Sequence, residues 1–234
     1  MPLPSNYNGG AQAWPINLSG LGPASDKTLT PRPALAGLYK QSFVAPAAAS
    51  LTSLISTPVA GPGAAGTNTY LPGAAEMDGA LGATGIFAQP RNVVITVTHA
   101  SSVVAVSGVI TGKDQYGKTI TEAWSVTATG TTKTFTGAVA FKSITSITVV
   151  ATGSAAADSI TIGMGKVFGL AFKNPVPGVE KELHAGAILT TGTVVAASAA
   201  ANADARGTYT PAGTPNGALT WDIWYIVDDF NDLD

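Results

Sequence analysis

The sequence predicts an all-β fold, an antiparallel β-sandwich or barrel preceded by a long N-terminal arm. Three observations lead there. From Asn92 onward, short runs rich in Val, Ile and Thr alternate with period two, as half-buried strands do. Gly- and Asn-containing turn signals separate those runs at roughly ten-residue intervals. No helix-period segment lies between them, which argues against βαβ units and a parallel sheet.

The arm comes first. Eleven of the 15 prolines fall within residues 1–90, and each fixes φ and removes a backbone donor. Segment 1–90 therefore reads as an extended arm with little regular structure, rich in Pro, Gly and Ala. A helix over Leu35–Ser56, broken at Pro46, is the one element expected in it. Trp14, Tyr39, Phe43, Tyr70 and Phe87 are spaced along it as hydrophobic anchors. A chain with such anchors and little charge orders by lying on something: its own domain, a neighbouring subunit or a larger shell.

Residues 91–234 read as the sandwich domain, in a jelly-roll or immunoglobulin-like arrangement. Val93, Ile95 and Val97 alternate with Val94, Thr96 and Thr98 in its first strand. Further strands are expected over Val103–Thr111, Thr119–Thr129, Thr132–Phe141, Ile144–Ala151, Ser159–Met164 and Val167–Phe172. Ala187–Ala196, Gly207–Thr210 and Ala218–Val227 complete the set. Turns fall at Asp114–Gly117, Thr129–Thr131, Thr152–Ser154 and Pro215–Gly217. Residues 173–186, with Pro175-Val176-Pro177-Gly178, suggest a corner between two sections of sheet. Thr190–Ala205 is a low-complexity tract whose form the pattern leaves open between strand and helix.

Composition removes several functional classes. Charged residues make up 11% of the chain, and Ala, Gly, Thr and Ser together supply 111 of 234 residues. A surface of this kind is not kept apart from its neighbours by charge and suggests wide contact with other copies or partners. A net charge of −2 with scattered lysines gives no electrostatic footprint for nucleic acid. With no cysteine there is no disulfide framework, thiol nucleophile or thiolate metal site. No run approaches about 18 apolar residues, and the first twenty residues lack a signal-peptide pattern, so no membrane span is expected and synthesis in a cytoplasm is. The last thirteen residues carry five aspartates (Asp222, Asp228, Asp229, Asp232 and Asp234) and no base, an acidic tip suited to a basic partner surface.

Candidate chemistry is sparse. Gly112-Lys113-Asp114-Gln115-Tyr116-Gly117-Lys118-Thr119 fits the G-x-x-x-x-G-K-[ST] phosphate-loop pattern. That loop must open a helix, yet an alternating strand follows, so a β-hairpin turn is expected. His99 ends a strand and His184 follows a polar segment, neither in a metal-ligand spacing. Glu122 and Asp158 are isolated carboxylates, read as surface or turn residues rather than a glycosidase pair. Asp228 and Asp229 lack a calcium-loop spacing. Asn17-Leu18-Ser19 is a formal glycosylation sequon. Trp124, Trp221 and Trp224 lie in expected strands. Trp221 and Trp224, three apart, face opposite sides, one in the core and one at an interface or partly exposed. No catalytic, cofactor or metal site is expected, and no enzyme activity.

A resemblance completes the reading. The segment Ser107–Gly117, followed by an Ile/Thr/Glu strand, resembles a recurring segment of tailed-bacteriophage virion proteins, and is also similar to bacterial immunoglobulin-like repeats. Phe141–Val149 leading to Ser159–Gly163 and Lys166–Leu170 is similar to the same proteins, as is Asp204–Pro211 with Pro215–Gly217. The resemblance spans roughly residues 100–227, about half of the chain. It implies a head decoration (cement) or minor virion structural protein: a β-rich knob, often a homotrimer, seated on the major capsid protein shell at the capsid surface and made in the host cytoplasm. No catalytic residues come with that family. The alternatives are a neck, tail or fibre-base virion protein, or a carbohydrate-binding adhesin module using an exposed tryptophan.

Overall fold

A computed structural model describes residues 37–62, 66–99, 104–128, 132–151, 158–188 and 192–227. Among them are fourteen strands and no helix, so the fold is all-β. The later part of the expected arm carries regular structure, against the reading from its prolines. Residues 37–90 hold β1 (Gly37–Phe43), β2 (Ser50–Ala60), β3 (Thr67–Tyr70) and the start of β4 (Ile86–Thr98). The expected helix over Leu35–Ser56 is replaced by β1 and β2 on either side of Pro46. Two prolines lie inside strands, where the pairing slips. Pro58 falls in the register shift of β2 between Ile55 and Val59. Pro90 falls in that of β4 between Ile86 and Arg91. A residue without an N–H fits where the ladder is already interrupted. Residues 1–36, with Trp14 and the Asn17 sequon, lie outside the described residues.

The expected strands beyond residue 91 are present with shifted ends. They are β5 (Val104–Lys113), β6 (Thr119–Ala128), β7 (Thr132–Thr136), β8 (Phe141–Ala151) and β9 (Ser159–Gly169), the last joining two expected strands into one. Then follow β10 (Lys181–His184), β11 (Ala187–Ile188), β12 (Thr193–Val195), β13 (Thr208–Thr210) and β14 (Trp221–Val227). Two of these lie within the expected Ala187–Ala196 strand.

All pairings are antiparallel. One sheet has the order β1-β14-β10-β11, and the other follows β12-β13-β9-β4-β8-β5-β6, with β2, β3 and β7 attached to β9, β8 and β4. The longer path folds over because β4 changes partners along its length. Its N-terminal half pairs with β8, its C-terminal half with β7, and β9 lies along its other edge from Arg91. Two layers result, β2-β9-β4-β7 and β3-β8-β5-β6, and between them packs a core that includes Leu54, Ile95, Ile162, Ile110, Ile147 and Trp124. Gly108 makes room for Trp124, its partner across β5 and β6. A Cβ on Gly108 would lie 1.8 Å from the Thr148 carbonyl oxygen, the same oxygen that accepts the Trp124 indole N–H at 3.1 Å.

A second core joins the inner face of the four-stranded sheet (Phe43, Trp221, Ile223, Tyr225) to Phe168, Leu170, Val194 and Tyr209. Phe43 stacks on Tyr209 with centroids 5.6 Å apart. The segment from Leu170 to Glu180 leads from β9 in one sheet to β10 in the other; β10 itself is a strand that the sequence reading did not expect, inside the corner expected over 173–186. Arg91 stands between the cores. Its guanidinium donates to the carbonyls of Gly165 (2.8 Å) and Ala47 (3.0 Å) and lies 4.1 Å over the Phe168 ring.

Deleting residues 1–35 is expected to leave the unit from Ala36 folded, because every described strand lies within it. Deleting 1–60 removes Phe43, Leu54 and Ile55 from the two cores, and near-UV circular dichroism should then show loss of fixed tertiary structure. Gly108→Ala is expected to destabilise by about 3 kcal/mol through overpacking, measured by denaturant unfolding; an unchanged midpoint would contradict the role given to Gly108.

Candidate functional site

The segment with the phosphate-loop pattern is a hairpin turn. β5 and β6 pair down to Lys113 opposite Thr119, and no helix follows. The Asp114 carboxylate accepts the N–H groups of Tyr116 (2.9 Å) and Lys118 (3.0 Å). Gly117, with φ of +85°, closes the turn and donates to the Asp114 carbonyl. Amides that a phosphate loop would offer to its ligand are thus turned onto an internal carboxylate. The turn is fastened to the end of β9: Gln115 donates to the Leu170 carbonyl at 2.9 Å and the Tyr116 hydroxyl to that of Ala171 at 2.7 Å.

Beside this turn lies a cavity of about 340 Å³ between β6 and the loop 198–207, lined by Asp114, Lys118, Ile120, Asn202, Asp204 and Arg206. Arg206 pairs with Asp114, and its guanidinium carbon lies 4.3 Å over the Tyr116 ring. Asn202, at φ of +60°, accepts the Ala123 N–H at 2.7 Å and so covers the outer edge of β6. Asp204 accepts the N–H groups of Ala140, Arg206 and Gly207 at 2.9, 2.9 and 3.1 Å.

Glu122 is the correction that matters most here. It was expected at the surface and is buried, 2% exposed, on the inward side of β6. Its Oε1 accepts from Ala138 and, at 3.2 Å, from Val139. Three successive amides, 138 to 140, are therefore held by two carboxylates from different parts of the chain, Glu122 buried and Asp204 half-buried. Burial pushes the Glu122 carboxyl up to about 7 against the lowering effect of those N–H groups, and the Asp204 carboxylate adds to the push. Burial also raises Asp204, opposed by its three amide donors. A carboxyl near neutrality is a proton-transfer candidate in principle. Here its Oε2 is sealed in and lies against Gly137, where a Cβ would come within 2.5 Å of it. The arrangement clamps loops.

Asp158 is likewise buried rather than at the surface, and its carboxylate meets His99 Nδ1 at 2.9 Å. This pair joins the end of β4 to the start of β9. His184 stacks on Trp221 with centroids 4.0 Å apart. The structure brings neither histidine to the other, and no group of three His, Asp or Glu able to hold a metal occurs among the described residues. Asp228 and Asp229 lie outside the described residues.

The tryptophans divide as their spacing predicts. Trp221 is 1% exposed in the second core, and Trp124 is buried in the first. Trp224 lies half-buried on the outer face of the four-stranded sheet, between Lys40 and Lys181, whose ammonium groups are 5.2 and 5.1 Å from its ring. Sequence reading missed Lys40 and Lys181, because they meet only through strand register. The same holds for Arg206 and Asp204, which reach Asp114 and Glu122 from some eighty to ninety residues away.

Glu122 has a consequence for stability. Its folded value lies above its unfolded value of 4.5, so the folded state binds more protons between about pH 4.5 and 7. Stability from this group is full below that window and is lost as pH rises through it. Glu122→Gln is expected to remove a decline of roughly 2 kcal/mol between about pH 5 and 8, read from urea unfolding at each pH; parallel curves for the two proteins would refute this.

No known protein family matches this chain, and no curated protein or solved structure is significantly similar to it.

Proposed function

We propose that this chain is a bacteriophage virion structural protein that decorates the capsid, binding the shell of the major capsid protein and stabilising it. The observation that carries this reading is the make-up of the outer surfaces. The outward side chains of β6 are Thr121, Ala123, Ser125 and Thr127, without a charge among them. On the opposite layer, Thr132 and Thr134 of β7 meet Thr98 and Thr96 of β4 at 3.0 and 3.4 Å in a hydroxyl ladder. Aliphatic side chains such as Leu51, Leu71, Ile86 and Val195 are more than half exposed. Surfaces of this kind suit broad, close packing against a rigid neighbour, with little charge to desolvate. The sequence segments that resemble virion proteins supply much of this body, including β5, its turn, β8 and β9.

A carbohydrate-binding reading depends on Trp224, since Trp221 is buried. Both lysines bordering Trp224 occupy the surface a sugar ring would stack on.

The test is the copy number of this chain relative to the major shell protein in purified particles. A large, fixed ratio matching the capsomer junctions is the expected result. A few copies per particle would assign it to the neck, tail or fibre base instead, and absence from particles would overturn the proposal.

A further inference from the structure

Between β12 and β13 the chain runs out over the sandwich and returns. Val195 and Thr208 are cross-strand partners, so the ends of residues 196–207 are fixed beside each other. Asn174 ties the base: its carbonyl accepts the Ala197 N–H at 2.8 Å, and its N–H donates to the Arg206 carbonyl at 3.0 Å. Arg206 adds its pairing with Asp114. From Ala196 to Ala205 no residue is buried, and seven of the ten are alanine. Among the described residues, the side chains that hold the middle of this strap to the sandwich are Asn202, at the Ala123 N–H, and Asp204, at the Ala140 N–H. Beneath it lies the cavity of about 340 Å³. A segment held by polar contacts, with no apolar side chain buried, opens at low cost.

Two acids share the joint under the strap. Glu122 of β6 holds amides 138 and 139, and Asp204 of the strap holds amide 140. Glu122 Oε2 is buried with no hydrogen-bond partner among the described residues, which leaves it free to carry a proton. The charged groups around Glu122 are Asp204 and Arg206 of the strap and Asp114 and Lys118 of the β5–β6 turn. Arg206 is taken up by Asp114, and Lys118 is exposed. From β4, Asn92 donates to the Gly137 carbonyl, while Arg91 beside it is turned onto the carbonyls of Gly165 and Ala47. Ionising Glu122 therefore sets a buried charge beside a like charge. Moving Glu122 itself would break β6 within its ten-residue pairing with β5, where it faces Ile110. Moving Asp204 outward with the strap separates the charges and lets water reach Glu122, at the expense of a few polar contacts.

We propose that residues 196–207 are a proton-controlled strap over the edge of β6, closed while Glu122 carries a proton and released when Glu122 and Asp204 are both ionised. Release frees the Ala123 N–H and the outer edge of β6, which Asn202 covers in the closed strap. The closed form holds Glu122 at about 7, above its ordinary 4.5, so it binds more protons than the open form between those values. The strap accordingly loosens as pH rises through that window and changes no further above it. The inference concerns motion within one chain and stands apart from shell binding, so its test contains no particles.

The test is amide hydrogen exchange of the full chain between about pH 5 and 8, each rate divided by that of the same sequence without structure. Residues 138–140 and 198–205 and the Ala123 amide are expected to lose at least about tenfold in protection across that range, while β4 and β9 keep theirs. Constant protection in the strap overturns the proposal, and so does a loss shared equally by β4 and β9, which would be opening of the whole molecule. Glu122→Gln, which cannot ionise, is expected to remove the pH dependence; its persistence in the folded variant overturns the proposal. Asn202→Ala is expected to loosen the strap by the same factor at every pH. A pH dependence abolished by Asn202→Ala would put the control at the β6 edge rather than at the carboxylates, and overturns it equally. The profile of the unaltered chain and Asn202→Ala decide the matter if Glu122→Gln does not fold.

Discussion

The two cores meet at a buried guanidinium with no acid beside it among the described residues. Arg91 is 2% exposed, and burial pulls its pKa down to about 10 while leaving it charged at neutral pH. What compensates the lost hydration is a set of carbonyls, those of Gly165 and Ala47, and the face of Phe168. These partners come from β9, from the link between β1 and β2, and from the second core. One side chain thus fixes where β4 crosses β9 and where the early strands lie on both. Its neighbour Asn92 extends the joint, donating to the Gly137 carbonyl at 2.8 Å and accepting from Val167 at 3.0 Å. With a charge buried at the crossing, a displaced register would strand it, so the crossing has a single favourable arrangement.

The same logic recurs at the loops. Asp114, Glu122 and Asp204 are acids used as backbone acceptors, holding the β5–β6 turn, the stretch before β8 and the loop 198–207. Chains this rich in Ala and Gly have few side chains with which to anchor a loop. A buried carboxylate accepting two or three amides does so at one point, and at Glu122 the cost of burial appears as a raised pKa. Asp114, Glu122 and Asp204 thus serve as anchors for the backbone around them.

The proposed function rests on the outside of the molecule. Its faces differ in kind: hydroxyl ladders and small residues over the sandwich, an aliphatic and cationic strip over the four-stranded sheet. In the proposed reading, the surface of hydroxyls and small residues meets the shell through broad complementary packing. Weak contacts of this sort become strong together when copies are held in a symmetric array.

The sequence alone determined most strands from residue 92 onward, though not β10, together with the hairpin nature of 112–119 and the opposite facing of Trp221 and Trp224. Each follows from local periodicity and turn chemistry, which depend on nearest neighbours. It misled in two places for one reason. Prolines opposed strands over 37–90, and Glu122 and Asp158 read as surface or turn carboxylates, because local rules price a missing donor or a buried charge without its compensation. Only the tertiary structure supplied that compensation: register shifts at Pro58 and Pro90, the amides of 138 and 139 for Glu122, and His99 for Asp158. The pairing of Lys40 and Lys181 across Trp224 was also decided there, since strand register, set by burial of the opposite face, brings together residues 141 positions apart.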